Sequence, residues 1–325
     1  MSSWLFGRQT TVIALVLLAI LVVFSSLRFE AFASESNIRN ILTTASVLLV
    51  VAVAMTYVII TAGIDLSVGS VLVFSGVIAA KVMGALGGEG LTAILLGLLA
   101  CLASGLAWGI LNGLLIARAG IPPLIVTLGT LGMALGSALL ITSGINLRDV
   151  PTELTITIGI GRLFGVVPYL VLIAAAVTLA GGVVLALTRF GRYTYAIGSN
   201  EEAARRSGID VGRHLIKVYA LSGLLAGLAG FMSLSRFGTT ELAGHQTDNL
   251  AAIAAVVIGG TSLFGGVGTI FGTVIGVFIP AVLANGFVIL RLQPFWQQVA
   301  IGAVLIAAVY FDQLKRRQRE RGVRG

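Results

Sequence analysis

Charge is scarce in this 325-residue chain: Asp, Glu, Lys and Arg make up 10% of it, against 57% apolar residues. A chain so poor in charge cannot clothe the surface of a soluble domain. Cysteine is nearly absent as well. The single Cys101 falls inside an apolar run, so no disulfide, zinc cluster or haem attachment forms within one chain. The only histidines, His214 and His245, lie far apart, and neither H-E-x-x-H nor G-x-S-x-G occurs. That removes the commonest signatures of a zinc protease or a serine hydrolase. The period-2 alternation of an outer-membrane barrel is missing too.

What is present is long apolar sequence, with a mean hydropathy of +1.04. Ten runs are long enough, or nearly so, to cross a hydrocarbon core that takes about 20 helical residues. They lie near 11–27, 41–60, 66–83, 91–117, 123–143, 167–188, 214–235, 249–263, 268–290 and 296–311. Helices are expected throughout, because lipid offers no partner to an open strand edge. The expectation is an all-α polytopic membrane protein of about ten transmembrane helices, folded as one domain over 1–325 with no extramembrane domain of its own.

Sidedness follows from the basic residues. With the N-terminus inside, the cytoplasmic side holds Arg8, Arg118, Arg189, Arg192, Arg205, Arg206, Arg213, Lys217 and six Lys or Arg after residue 314. Arg28, Arg39, Lys81, Arg148, Arg162, Arg236 and Arg291 fall elsewhere. The excess inside favours N-in and C-in. The same excess accounts for the net charge of +8, so the basic tail at 312–325 reads as an anchor near anionic lipid and not as a nucleic-acid site. The first run resembles a signal peptide, with "AFA" at 31–33. Its long apolar core and the intervening Arg28 and Glu30 favour an uncleaved first helix.

Small residues say how the spans meet. Gly97, Cys101, Gly105, Gly109 and Gly113 recur every four residues, as do Gly268, Gly272 and Gly276, with shorter echoes at Gly132 and Gly136 and at Gly223 and Gly227. Such stripes let helix backbones approach closely in lipid. Two stretches break the apolar pattern: "TAGIDLSVGS" at 61–70 and "VIGGTSLFGGVGTIFG" at 257–272. Asp65 is placed to cap the third span or to line a route or gate.

The most polar interior stretch is "AIGSNEEAARRSGID" at 196–210. Ser199 as N-cap with Glu202 three residues on fits a capping box, Glu201–Arg205 and Glu202–Arg206 are i,i+4 pairs, and Gly208 is a stop. A helix of about two turns is expected on the cytoplasmic side, presenting the small Ala203, Ala204 and Ser207.

These residues carry a resemblance. "AGIDLSVGS", "NGLLIARAGIPPLIVTLGT", "YAIGSNEEAARRSGI", "VYALSGLLAGLAG" and "IAAVVIGGTSLFGGVGT" are similar, in order and spacing over about 40–311, to permease subunits of bacterial ABC importers of the ribose, xylose, arabinose and galactose type. Branched-chain amino acid permeases are related more distantly. The chain departs from that pattern at Ala251, where an acid is frequent, and at Leu135, where an Arg often precedes the glycine.

The resemblance implies a type II importer permease that moves a monosaccharide across the bacterial cytoplasmic (inner) membrane by alternating access. It implies that the loop at 189–213 carries a coupling helix, with Asn200, Glu201, Glu202, Ala203, Ala204, Arg205 and Gly208 against an ATP-binding partner. No G-x-x-x-x-G-K-[ST] loop occurs here, so ATP and Mg belong on a separate ATPase subunit, and this chain is neither an enzyme nor the holder of a cofactor or metal. A periplasmic or lipid-anchored sugar-binding protein and a second permease copy, identical or related, complete the implied assembly, with membrane lipid around it. The outer loops from Gly144 to Gly165 and from Arg236 to Asp248 are candidate docking surfaces. Asp65, Ser67, Asn112, Thr127 and Thr130 are candidates for the translocation pathway or gate, because polar groups inside spans need partners or a cavity. A nucleoside, a branched-chain amino acid or a signalling sugar are alternative cargoes. An ion-coupled secondary transporter is an alternative class, thinly supported because Asp65 stands almost alone.

Overall fold

The computed structural model describes residues 2–293, 295–300, 302–303, 306–307, 309–310 and 313. The basic tail at 312–325 therefore lies outside the described residues apart from Gln313, and the span at 296–311 is described only in part.

In chain order the helices are α1 (Ser2–Leu27), α2 (Phe29–Phe32), α3 (Glu35–Ile60), α4 (Val68–Ala85), α5 (Gly90–Ala117), α6 (Pro123–Thr142) and α7 (Thr152–Leu154). After α7 comes a single π turn (Thr155–Gly159) and a hairpin of β1 (Arg162–Leu163) and β2 (Val167–Pro168), the register pairing Leu163 with Val167. Then follow α8 (Tyr169–Leu187), α9 (Arg189–Ser199), α10 (Glu201–Arg206), α11 (Val211–Phe237), α12 (Asp248–Ile258) and α13 (Ile270–Ile289).

Seven of these helices, α3, α4, α5, α6, α8, α11 and α13, are long and apolar enough to cross a membrane. Their bounds follow the expected runs closely, because in lipid the length of an apolar run dictates the helix. The expected span at 249–263 is corrected. It is α12, only 11 residues long, and Gly259 and Gly260 end it early, with Gly260 in the left-handed region at φ 96°.

The interior is built around α11. Gly105, Gly109 and Gly113 of α5 lie against Gly223, Gly227, Tyr219 and Ile216, so closely that an added Cβ would strike backbone atoms across the crossing. The Cys101 thiol lies 3.0 Å from the Gly227 carbonyl at the same crossing. Gly272 and Gly276 of α13 bring it against Gly259 and Ala255 in the same way. The stripe on α6 behaves otherwise. Nothing lies within 4 Å of a Cβ built at Gly129, Gly132 or Gly136, so the expected close packing at Gly132 and Gly136 is not made with any described part of this chain.

The ends of the bundle sort into two groups. At one, Arg236 donates to Asn40 and Thr44, Thr240 bonds Leu147, and Asp149 lies beside Gly84. At the other, Gly266 N–H donates to the Ile60 carbonyl and Tyr195 to the Gly268 carbonyl. The second end carries α9 and α10, and it is the end that the Lys and Arg count assigns to the cytoplasm.

Two helices begin inside the bundle. Asp65, just ahead of α4, bonds Ser222, twelve residues into the 27-residue α11, which is about 16 Å along that helix. The first turn of α12 meets the same level, where the Asn249 amide donates to the Leu66 carbonyl at 3.0 Å. Irregular backbone at such depth is tolerated where protein buries it, as it does here.

Candidate functional site

The polar segment at 189–215 is a built unit. Thr188 caps α9 by accepting from Gly191 N–H, and Gly191 is pressed so hard against the Leu185 carbonyl that no side chain fits the corner. Ile197, Ala204 and Val211, from α9, α10 and α11, form a small apolar core with Ala196, Ile209 and Leu215 beside it. Thr194 bonds the His214 ring at 2.9 Å and holds α9 to the start of α11.

On that support stands α10. Its N-cap is Asn200 and not Ser199: the Asn200 side chain accepts from Ala203 N–H at 2.9 Å, while Ser199 is the last residue of α9. Asn200 takes the cap because its extended backbone, φ −163° and ψ 103°, aims the side-chain oxygen at the N3 amide. Glu202 makes no capping box and pairs instead with Arg206, as Glu201 does with Arg205 at 2.8 Å. The helix has six residues, fewer than the two turns expected. Gly208 ends it with φ 86°. Asn200, Glu201, Glu202, Ala203, Arg205, Ser207 and Gly208 are exposed, whereas Ala204 is buried against the unit's own core. Acids in the first turn and arginines in the last also suit the helix dipole.

The other candidates form an interior hub. Asp65 Oδ1 accepts from Ser67 N–H at 3.0 Å and from Ser67 Oγ at 2.6 Å, and Oδ2 accepts from Ser222 Oγ at 2.8 Å. The Asn112 amide donates to Ser67 Oγ at 2.9 Å, joining α5 to the start of α4. Its Oδ1 is buried and meets no donor among the described residues. Thr127 reaches the carbonyls of Pro123 and Ile64, and Thr130 that of Val126. All five of Asp65, Ser67, Asn112, Thr127 and Thr130 are at most 2% exposed, so none lines an open space in this conformation. The expected capping of α4 by Asp65 is not made: the N-cap position is Ser67, two residues on, and the Asp65 carboxylate bonds Ser67 itself and Ser222, with no bond to an amide of the first turn of α4. No cluster of His, Cys, Asp or Glu suited to a metal occurs among the described residues.

Sequence reasoning missed α9, Ser222 and Asn249. The signal for α9 was present: "RFGRYTYAIGS" is polar on one helical face and places Gly191, Thr194 and Ile197 on the other. Ser222 and Asn249 gave none, since nothing local in sequence tells which span a lone polar residue will meet.

The two connectors expected on the outer side are also more ordered than loops. The one from Gly144 to Gly165 holds α7, the π turn and the first strand, and Gly159 seats the π turn against the Ser235 carbonyl. In the one from Arg236 to Asp248, His245 bridges Ser233 and Asp248 at 2.7 Å to each.

Residues 37–309 match the family described as branched-chain amino acid transport system / permease component. The chain is 40% identical over 316 residues to the ribose import permease protein of Escherichia coli (strain K12), covering 96% of this chain and 95% of that one. It is 36% identical to the D-allose transport system permease protein of the same strain, over 92% and 90% of the two chains. To the fructose import permease protein of Rhizobium meliloti it is 35% identical, over 96% and 88%. No solved structure matches. A match spanning seven apolar helices and both polar breaks leaves one assignment: the chain belongs to this family of transport-system permease components and is a multi-pass membrane protein.

Proposed function

We propose that this chain is the transmembrane permease subunit of an ABC importer that carries a monosaccharide of the ribose kind across the inner membrane. The cargo class rests on the names of its relatives, which are ribose, D-allose and fructose permeases. The energy source rests on one structural observation. A six-residue helix, α10, stands exposed on a support of its own, with Asn200, Glu201, Glu202, Ala203 and Arg205 facing outward and Ala204 and Gly208 fixing its seat and its end. Ion pairs and a cap occur on many solvated helices; what supports docking is that an apolar footing shared with α9 and α11 fixes the outward face of so short a helix. A coupling helix entering a cleft on an ATPase subunit has a use for such a fixed face, and ATP and Mg are held on that subunit.

The implied cycle has three parts. A binding protein delivers sugar to the outer face; ATP turnover on the partner displaces α10; and a permease pair opens inward. The hub of Asp65, Ser67, Asn112, Thr127 and Thr130 is the gate in this reading. The orphaned Asn112 Oδ1 supports it, since a passing sugar hydroxyl is a donor of the right kind. The open stripe of Gly129, Gly132 and Gly136 on α6 is where a second permease copy can come close.

The test is uptake of radiolabelled ribose, D-allose and fructose by cells with and without the chain, under ATP depletion and under an ionophore. Loss of uptake on ATP depletion, with survival under the ionophore, is expected. The opposite pattern sinks the ATP-driven reading and favours an ion-coupled carrier acting through Asp65.

A further inference from the structure

A displacement of α10, outside the bundle, has to cross several helices to reach Asp65 within it, and the contacts of α9 span that distance. We infer that Gly198 and Tyr195 form the joint through which α10 moves the turn at 61–67, and that Gly198 is a positioning residue of the transport cycle. This rests on the coupling-helix reading and deepens it.

Gly198 is the penultimate residue of α9, two before the Asn200 cap of α10. A Cβ built on it runs into the Ile60 carbonyl oxygen and lies 2.6 Å from Gly266 N. Ile60 is the last residue of α3, and its carbonyl also accepts from Gly266 N–H at 2.8 Å. Beside this, the Tyr195 hydroxyl donates to the Gly268 carbonyl at 2.7 Å, and a Cβ at Gly265 would crowd both the Gly198 carbonyl and Ala62. Backbone of α9, of the end of α3 and of the 259–269 turn therefore meets at one point with no intervening side chain.

The joint is stiff on both sides. Toward α10, the Ile197, Ala204 and Val211 core binds α9 and α10 into one body. Toward the interior, Ala62 at φ 60° and Gly63, which donates to the Val58 carbonyl, fold the chain sharply back from Ile60. Five residues after Ile60 comes Asp65, tied to Ser67 and Ser222. A displacement of α10 therefore presses on Ile60 directly and on the start of α4 one turn later.

Alanine at 198 separates this role from helix formation. Alanine is the better helix former by about 1 kcal/mol, so Gly198→Ala strengthens α9 locally while forcing it off Ile60 and loosening the joint. Tyr195→Phe removes one hydrogen bond and adds no bulk.

The experiment uses the full chain purified with whatever ATPase it captures, carrying an Ala62→Cys reporter on the turn; the native Cys101 is fully buried. The rate of maleimide labelling at the reporter is read with and without ATP and vanadate, alongside ATP hydrolysis. The expected result is an ATP-dependent change of roughly tenfold in the otherwise wild-type chain. It falls below about twofold with Gly198→Ala and to about a third with Tyr195→Phe, while hydrolysis and ATPase capture stay within about twofold, in line with typical coupling energies. An undiminished ATP response in both variants overturns the inference and leaves the coupling helix standing, as does a reporter that never responds to ATP. Capture of no ATPase by the otherwise wild-type chain overturns the coupling reading itself, and the joint with it. If Gly198→Ala fails to assemble, Tyr195→Phe decides alone.

Discussion

Replacing Asp65 in two ways distinguishes a hydrogen-bonding hub from a site that needs a negative charge. Asp65→Ala removes the acceptor of three donors: Ser67 N–H at 3.0 Å, Ser67 Oγ at 2.6 Å and Ser222 Oγ at 2.8 Å. The Ser222 hydroxyl can turn to the carbonyl one helical turn back, so its loss is small. Ser67 N–H is buried and has no such escape. Two lost bonds at about 1 kcal/mol each and an orphaned amide at about 1 kcal/mol put the Ala variant near 3 kcal/mol. Asp65→Asn keeps Oδ1 for Ser67, and its amide meets a Ser222 hydroxyl that can accept, so it costs about 1 kcal/mol. Per-residue unfolding entropies turn the difference of about 2 kcal/mol into about 3 °C for a chain of this size. The assay is a thermal ramp of detergent-solubilised protein followed by size-exclusion, scoring the fraction that stays monodisperse. Asn is expected about 3 °C above Ala and close to wild type. Asn falling as far as Ala would refute the hydrogen-bond accounting and make the charge of Asp65 its essential property.

Three further outcomes follow from the packing. Gly109→Val and Gly223→Val, which drive Cβ atoms into backbone at the α5–α11 crossing, should abolish recovery of folded protein, whereas Gly129→Ala on the open face of α6 should change stability by less than about 0.5 kcal/mol in the same ramp. Asn200→Ala removes the cap of α10 and should cost that helix about 1 kcal/mol, read as faster amide exchange confined to 201–206. Thr56→Val breaks the 2.7 Å bond between Thr56 and Thr273 that ties α3 to α13; the expected loss is about 0.6 kcal/mol, about 1 °C in the ramp.

Much of the architecture was legible because one solvent-imposed rule dominates it. Runs such as 91–117 and 123–143 correspond to α5 and α6 within a residue or so, since lipid punishes an unpaired backbone wherever a run ends early or late. The exceptions sit where protein replaces lipid. The 249–263 run is shortened to α12 because its last residues pack in the turn beside Ile60 and need no helix there. The glycine stripes on α5 and α11 read correctly as faces of close approach, though not as partners of each other, and an identical spacing at Gly132 and Gly136 finds no neighbour among the described residues. Spacing tells that a face is flat, and only the fold tells what covers it. Around 196–210 the ion pairs and the Gly208 stop were readable as local i,i+4 and φ preferences. The choice of Asn200 over Ser199 as cap was not, because it depends on where α9 ends, and α9 ends where Gly198 reaches Ile60. The same nonlocality hid Ser222 and Asn249 from the Asp65 hub.

The central claim is that α10 docks into an ATP-hydrolysing partner, and capture from the native membrane tests it most directly. A photo-crosslinking residue placed at Ala203, on the exposed face of α10, is activated in intact membranes, and the chain is purified in gentle detergent for mass spectrometry of its adduct. The account predicts an adduct with a soluble chain bearing a G-x-x-x-x-G-K-[ST] loop, lost when the crosslinker is moved to Gly129 on the open face of α6. A chain recovered folded and active in uptake, with no such adduct from residue 203, would contradict it.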